Sequence, residues 1–257
     1  TEEVYNQADI QSRLKTKWVA HPLQFFDSID STNIRAKLEA EQGAESGLLV
    51  VSDMQSAGRG RRGRGWESPA GTNIYYTLML KPDFSSDCAP MLTLVMALAV
   101  AKGIRQTLRC DSEEAAAKVG IKWPNDIVVD GKKVCGILTE MSMEQGYIQH
   151  IVIGVGINVR KQEFPEEIRD RAAAIDEQCG FRISRSQLIA DIMEAFEEDY
   201  EIFLRTHDLK GLRASYAELL VNQDREVCVL DPKGEYRGIA RGINLSLIHI
   251  SEPTRLR

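Results

Sequence analysis

Within residues 55–72 lies Gly58-Arg59-Gly60-Arg61-Arg62-Gly63-Arg64-Gly65, four arginines in six positions with no acidic residue from Met54 until Glu67. A guanidinium offers a planar fork of donors that matches carboxylate and phosphate oxygens. Interleaved glycines let backbone N–H groups approach an anion closely. The chemistry of this segment is therefore anion binding. Gly58-x-Gly60-x-x-Gly63 literally satisfies a dinucleotide fingerprint, but that fold needs a helix directly afterwards, and Trp66-Glu67-Ser68-Pro69-Ala70-Gly71 forbids one. No G-x-x-x-x-G-K-[ST] phosphate loop exists anywhere in the chain. A nucleic-acid-binding Arg/Gly segment would be longer and repetitive. The plain alternative is a solvated basic loop.

Two further patterns accompany it. Lys122-Trp123-Pro124-Asn125-Asp126 sets a lysine at a strand end before two turn-forming side chains. Alone, such a lysine reads as a solvated charge and Asn125-Asp126 as a simple turn. Gly154-Val155-Gly156-Ile157-Asn158 puts glycines inside an apolar strand, which means either a bulge or something lying close against the backbone.

These groups must be held by a folded scaffold, and the composition supplies one. The 257 residues are 43% hydrophobic and 27% charged, enough for one large domain or one with a small companion. Basic residues number 32 against 38 acidic, a net charge of −6 that excludes a broad polyanion-binding or anionic-lipid-binding surface. The most apolar stretch, residues 88–101, has 14 uncharged positions. A bilayer span needs roughly 18–20, so the stretch reads as a buried helix and no membrane partner is expected. Residues 1–17 are polar and lack a signal-peptide pattern, so export is not expected. Five scattered cysteines form no C-x-x-C pair and the four histidines are dispersed, so we expect reduced thiols, a cytoplasmic location and no metal-ligand cluster.

Residues 1–17 allow one short helix, and residues 23–26 (LQFF) a first strand. Ser31-Thr32-Asn33 offers N-cap side chains for a helix that Gly43 would close. Residues 48–52 and 73–80 are strand-like and flank the arginine loop, which is long for a compact domain and hence functional or disordered. Residues 90–108 read as a core helix from their apolar periodicity. Strands follow at 120–123, 126–129, 135–140 and 150–159, with Asp130-Gly131 as a hairpin turn. Amphipathic helices are predicted over 186–205 and 209–220. From Val221 the texture changes to short alternating runs at 226–230 and 236–240, which marks a small β-rich second domain. Residues 245–255 read LSLIHISEPTR, the translation in this frame of a transposase adapter used in sequencing libraries. Native sequence is therefore expected to stop near Asn244, leaving 245–257 as an adapter-derived tail.

Taken together, Ser31-Thr32-Asn33, the segment Gln55 through Arg64, Trp66, Lys122 through Asp126, Lys133 through Leu138 and Gly154 through Asn158 resemble the biotin protein ligases in order and spacing over roughly residues 20–244. The resemblance implies an α+β fold: a class II synthetase-like mixed or antiparallel sheet with helices over 1–220, and a truncated SH3-like β-barrel over 221–244. It also implies a two-step reaction. Biotin and MgATP give biotinyl-5′-AMP and pyrophosphate, and biotin then passes to one lysine of a biotin carboxyl carrier protein such as that of acetyl-CoA carboxylase. ATP, Mg2+ and biotin are thus the implied cofactors and substrate, and a homodimer stays open.

By the same resemblance Lys122 and Arg61 are catalytic. Ser31, Thr32, Asn33, Gln55, Arg59, Gly60, Arg61 and Lys122 bind biotin, while Arg61, Arg64, Trp66, Lys122 and Asn158 bind ATP or the adenylate. Lys133 is a weaker candidate, and no metal-binding residues are assigned. Some members add an N-terminal winged helix-turn-helix and repress transcription. With about 20 residues before the first strand, DNA binding is not expected here. Two alternatives remain: a lipoate ligase of the same fold, and an RNA-binding protein using the Arg/Gly loop.

Overall fold

The computed structural model describes residues 3–231, 234–243 and 249–251. Its centre is a seven-stranded mixed sheet in the order β1-β2-β3-β7-β6-β5-β4. The strands are β1 (Leu23–Phe26), β2 (Leu49–Ser52), β3 (Ile74–Leu80), β4 (Val119–Lys122), β5 (Asp126–Val129), β6 (Lys132–Glu144) and β7 (Tyr147–Ile157). Only the β1–β2 pair is parallel, joined by the crossover helix α2 (Thr32–Glu41). Every other pairing is antiparallel. This is the mixed sheet with helices implied by the sequence.

Strand alternation assigns the two faces. Leu49, Val51, Tyr76, Leu78, Ile151, Ile153 and Ile157 join the main core, while Val50, Met79 and Val152 pack with Ala36 and Ala40 of α2 on the opposite face. The main core is completed by helix α3 (Met91–Arg109) lying against α6 (Arg185–Leu204). Gly103 marks their closest approach, since a Cβ there would meet the Ile192 backbone at 2.9 Å. The segment Ser86–Arg109 is long and apolar enough to cross a membrane, but most of it is buried within the fold. Replacing one of its fully buried leucines, such as Leu98, by Ala should cost about 2–5 kcal/mol.

Two α-helices escaped the sequence reading: the five-residue α4 (Glu113–Ala117) and α5 (Ile175–Cys179). Both are too short to show helical periodicity. The N-terminal helix α1 (Gln7–Arg13) and α7 (Arg213–Leu219) are shorter than the windows expected for them. Both hairpin turns carry positive φ at their central pair, Asp130-Gly131 and Gln145-Gly146, the conformation that suits the twist of the flanking strands.

Past α7 the chain runs beside β4, where Val221 N–H donates to Ile121 O, before entering a second sheet. That sheet holds β8 (Glu226–Asp231), β9 (Gly234–Gly242) and β10 (His249–Ser251) in the order β10-β9-β8. The first two match the strands expected after Val221. Apart from His249–Ser251, the tail expected to be non-native lies outside the described residues, as does the proposed end at Asn244.

Candidate functional site

Helix α2 points its N-terminus at the middle of the sheet. Ser31 is its N-cap residue but makes no side-chain cap hydrogen bond. The capping acceptor is Gln55 instead: its Oε1 takes the Thr32 N–H at 2.9 Å and the Thr32 hydroxyl at 3.1 Å. An orphan helix N–H is thereby satisfied from a distant loop, which fixes where Gln55 sits. Ser31, Thr32 and Asn33 are all buried. Thr77, buried on β3, lies 2.6 Å from Asn33 Oδ1 and 2.8 Å from Thr32 Oγ1.

The glycines of β7 explain how Asn33 fits. Gly154 and Gly156 keep regular register with both β3 and β6, so the bulge alternative is overturned. What needs the missing side chains is close approach: a Cβ on Gly154 would fall 2.1 Å from Asn33 Oδ1, and one on Gly156 would fall 2.5 Å from the Trp66 ring. Gly136 on β6 supports the same indole, at 2.9 Å. The glycines thus let Asn33 and Trp66 lie directly against the sheet, which fixes where both side chains sit.

The arginine loop is better ordered than its composition suggests. It folds back on itself as a finger, with Gly60 N–H donating to Arg64 O, Trp66 N–H donating to Gly58 O and an Arg59–Gly65 bridge. Its tip is a tight turn at Arg61–Gly63, with positive φ at Arg62 and Gly63. At its base Ser68 Oγ receives Gln55 Nε2–H at 3.0 Å. The last glycine, Gly71, donates its N–H to Asp53, which is itself held by buried Arg185 at 2.8 Å. The finger therefore has a rigid root and an exposed tip.

The Lys122–Asp126 segment meets that tip. Arg61 Nη1 donates to Asn125 Oδ1 at 2.6 Å, and Asn125 is pinned to β6 through both its main chain and its side-chain amide, each bonded to Ile137. Asn125 is thus a latch rather than a simple turn residue. Lys122, at the exposed end of β4, stands opposite Asp126 in the β4–β5 register. Lys133 pairs with Asp126 at 2.8 Å and holds its ammonium 5.5 Å from the Trp66 ring centroid. That makes Lys133 more central than its sequence context indicated. Buried Asn158 donates its N–H to Val134 O and accepts from Ile175 N–H beside the same cleft.

The structure brings every candidate site residue named from the sequence into one cleft of about 820 Å³. Ser31, Thr32, Asn33 and Gln55 form one cluster of its lining, with the Arg59 charge near enough to act on Glu140, the partner of Asn33. Arg61, beside Asn125, and Lys122, opposite Asp126, belong to a second, and Gly60, Arg64, Trp66 and Asn158 line the cleft with them. One qualification concerns Gly60, whose N–H is already spent on Arg64 O within the finger. Asn222, Val227 and Cys228 reach the cleft from the second sheet's side, and Asn222 Oδ1 receives the Trp123 N–H at 3.0 Å. A smaller hollow of about 400 Å³ adjoins at Asn125 on the α3 side. Sequence reasoning missed Thr77, Asn222 and Glu140. A lone threonine or glutamate inside a strand gives no signal of the helix that will pack over it.

Among titratable groups behind the cleft lining, Glu140, the hydrogen-bond partner of Asn33, stands out. Burial works against its charge, but hydrogen bonds from Lys37 Nζ and Asn33 Nδ2, both at 2.8 Å, with the nearby Arg59 charge, hold its carboxyl below the usual range. It is therefore ionised throughout the neutral range.

Comparison with known proteins places the chain in a family. The profile of the Biotin/lipoate A/B protein ligase family matches residues 25–158. The bifunctional ligase/repressor BirA of Bacillus subtilis is 35% identical over 241 residues, covering 93% of this chain and 72% of that protein. The biotin–[acetyl-CoA-carboxylase] ligase of Paracoccus denitrificans is 30% identical over 84% of this chain and 88% of its own. Among solved structures, the biotin protein ligase from Aquifex aeolicus in complex with biotin and ATP aligns with a TM-score of 0.72 at 28% identity, covering 87% of this chain and 88% of that one.

Proposed function

This chain belongs to the biotin/lipoate A/B protein ligase family, on its biotin ligase side, and from that premise we propose that it makes biotinyl-5′-AMP and passes biotin to a lysine of a biotin carboxyl carrier protein. The observation that carries the reading is the polarity of the cleft: neutral hydrogen-bonding groups at Thr32, Asn33 and Gln55, and cations at Arg61, Arg64 and Lys122. Biotin has the same polarity, with a ureido head and a carboxylate tail.

In the first step a biotin carboxylate oxygen attacks the α-phosphorus of ATP, the bond to the β-phosphate oxygen breaks, and pyrophosphate leaves. Two anions must meet, so the step needs fixed positive charge at the point of contact. Lys122, Arg61 and Arg59 supply it, with Arg64 on the phosphate side. Lys133 joins them through its place beside Asp126 and Trp66. Trp66 and Asn158 serve the adenylate. Magnesium would arrive with the nucleotide, held by phosphate oxygens and water as is usual for this ion. Among the described residues no group of three or more His, Cys, Asp or Glu could cage an ion.

In the second step the carrier lysine's amine attacks the acyl carbon, AMP leaves, and the amine gives up a proton. The finger, rooted at Asp53 and Gln55 and latched at Asn125, covers the mixed anhydride against water until then. Buried Thr32 and Asn33, with half-buried Gln55, favour biotin over lipoate, because a dithiolane ring has no N–H or carbonyl for them to bind. Streptavidin blotting of a carrier domain after incubation with ATP and biotin tests the proposal. Transfer of lipoate in place of biotin would overturn it.

A further inference from the structure

Amide side chains have a handedness of donors and acceptors that their neighbours must set. Asn33 could present either its oxygen or its NH2 to Thr77, and the choice propagates. Glu140 decides it. As a carboxylate it only accepts, so Asn33 must turn its Nδ2 towards it, at 2.8 Å, and its Oδ1 towards Thr77, at 2.6 Å. Thr77 has one hydroxyl proton, and this arrangement spends it on Asn33. The 2.8 Å hydrogen bond between the two threonines is then made with the Thr32 hydroxyl as donor, so the Thr32 oxygen keeps both lone pairs for other donors. Thr32's backbone N–H is taken by Gln55 Oε1, whose NH2 is turned to Ser68.

With Asn33 reversed, Thr77 would accept from its NH2 and donate to Thr32, occupying one of the two Thr32 lone pairs and turning the Thr32 hydroxyl proton away. Lys37, reaching across from α2, neutralises Glu140 at 2.8 Å and keeps the carboxylate in place. Thr32, Asn33 and Thr77 are each at most 5% exposed, so solvent does not relax the choice.

We propose that Glu140, held by Lys37, is a positioning and specificity-determining residue that polarises the Asn33–Thr77–Thr32 chain so that the cleft selects a head group bearing N–H donors. The inference deepens the biotin reading and rests on it: the ureido ring offers two N–H donors, and the dithiolane of lipoate offers none. Glu140 touches no substrate; it acts through Asn33 and Thr77.

The test is calorimetric titration of the full chain with biotin, lipoate and ATP separately, alongside steady-state kinetics and thermal melts. Glu140→Gln is nearly isosteric, but its amide can turn either way. It should weaken biotin binding about tenfold or more and raise the biotin KM with kcat and ATP affinity unchanged, as expected when buried donors and acceptors are mismatched. Glu140→Asp, which remains acceptor-only, should bind biotin more tightly than Glu140→Gln. Thr77→Val removes the relay hydroxyl without touching the carboxylate and should reproduce the selective loss. Biotin affinity unchanged in Glu140→Gln and Thr77→Val overturns the proposal alone, as does a parallel fall in biotin affinity, ATP affinity and melting temperature. A wild-type chain that takes up lipoate and no biotin overturns the ligase reading and the proposal with it.

Discussion

The two ends of the cleft solve opposite problems on one face of one sheet. At the Asn33 end, Thr32, Asn33 and Thr77 are buried and hydrogen-bonded to one another. At the finger end, Arg61, Arg64 and Lys122 are exposed. A neutral head group gives little Coulomb energy, so its recognition depends on donors and acceptors whose ordering is complete before it arrives. Cations aimed at phosphate would be costly to bury unpaired, so they stay hydrated until the nucleotide pays the desolvation cost. The difference predicts that mutations at the first end act on biotin affinity and those at the second on chemistry and nucleotide.

The largest break in that division should come from Lys122→Ala. Loss of a preorganised charge at the point of attack should slow biotin-dependent pyrophosphate release by about a hundredfold or more. Release at the wild-type rate would remove Lys122 from the mechanism. The two strand glycines offer the sharpest separation. Gly154→Ala drives a methyl into Asn33, while Gly156→Ala drives one into Trp66. Each overpacking should cost about 1–3 kcal/mol, or roughly tenfold to a hundredfold in affinity, with biotin hit by the first and ATP by the second. If both variants lose both ligands equally, the two ends are not separate devices.

Asn125→Ala should have a smaller effect, about tenfold in kcat/KM for ATP, because it removes one charge-assisted hydrogen bond that latches the finger. Limited proteolysis within residues 58–65 should quicken in parallel. An unchanged cleavage rate would mean that Arg61 does not depend on Asn125 for its position.

The two ends also differ in how far they could be read in advance. The finger was legible because charge and glycine are concentrated in one stretch, and Lys122–Asp126 because its residues are consecutive. Strands with strong apolar runs, such as β3, and the Asp130-Gly131 hairpin follow from local pattern alone. The polar end was only half legible. Ser31-Thr32-Asn33 looked like an N-cap, yet the cap comes from Gln55, 23 positions away. Thr77 and Glu140 sit alone among apolar neighbours on β3 and β6, and their partners come from α2, so nothing near them in sequence announces a role. The folded root of the finger was hidden for the same reason: Asp53 meets Arg185 across 132 positions. Contacts of that range are set by topology, which the β1–α2–β2 crossover creates.

Ionic strength should distinguish the ends with the smallest effect of all. Exposed charges are screened once salt brings the Debye length to about 8–10 Å or less, whereas buried hydrogen bonds between neutral groups are not. Raising salt towards about 1 M should therefore weaken ATP binding several-fold, since triphosphate charge meets exposed arginines and Lys122, and weaken biotin binding less, since only its single carboxylate is screened. Charge removal offers a control: in Arg64→Ala the salt dependence of ATP binding should flatten while that of biotin keeps its slope. Equal salt slopes for the two ligands in the wild-type chain would mean that biotin is held mainly through its carboxylate. The buried polar end would then orient the ligand without supplying much of its affinity.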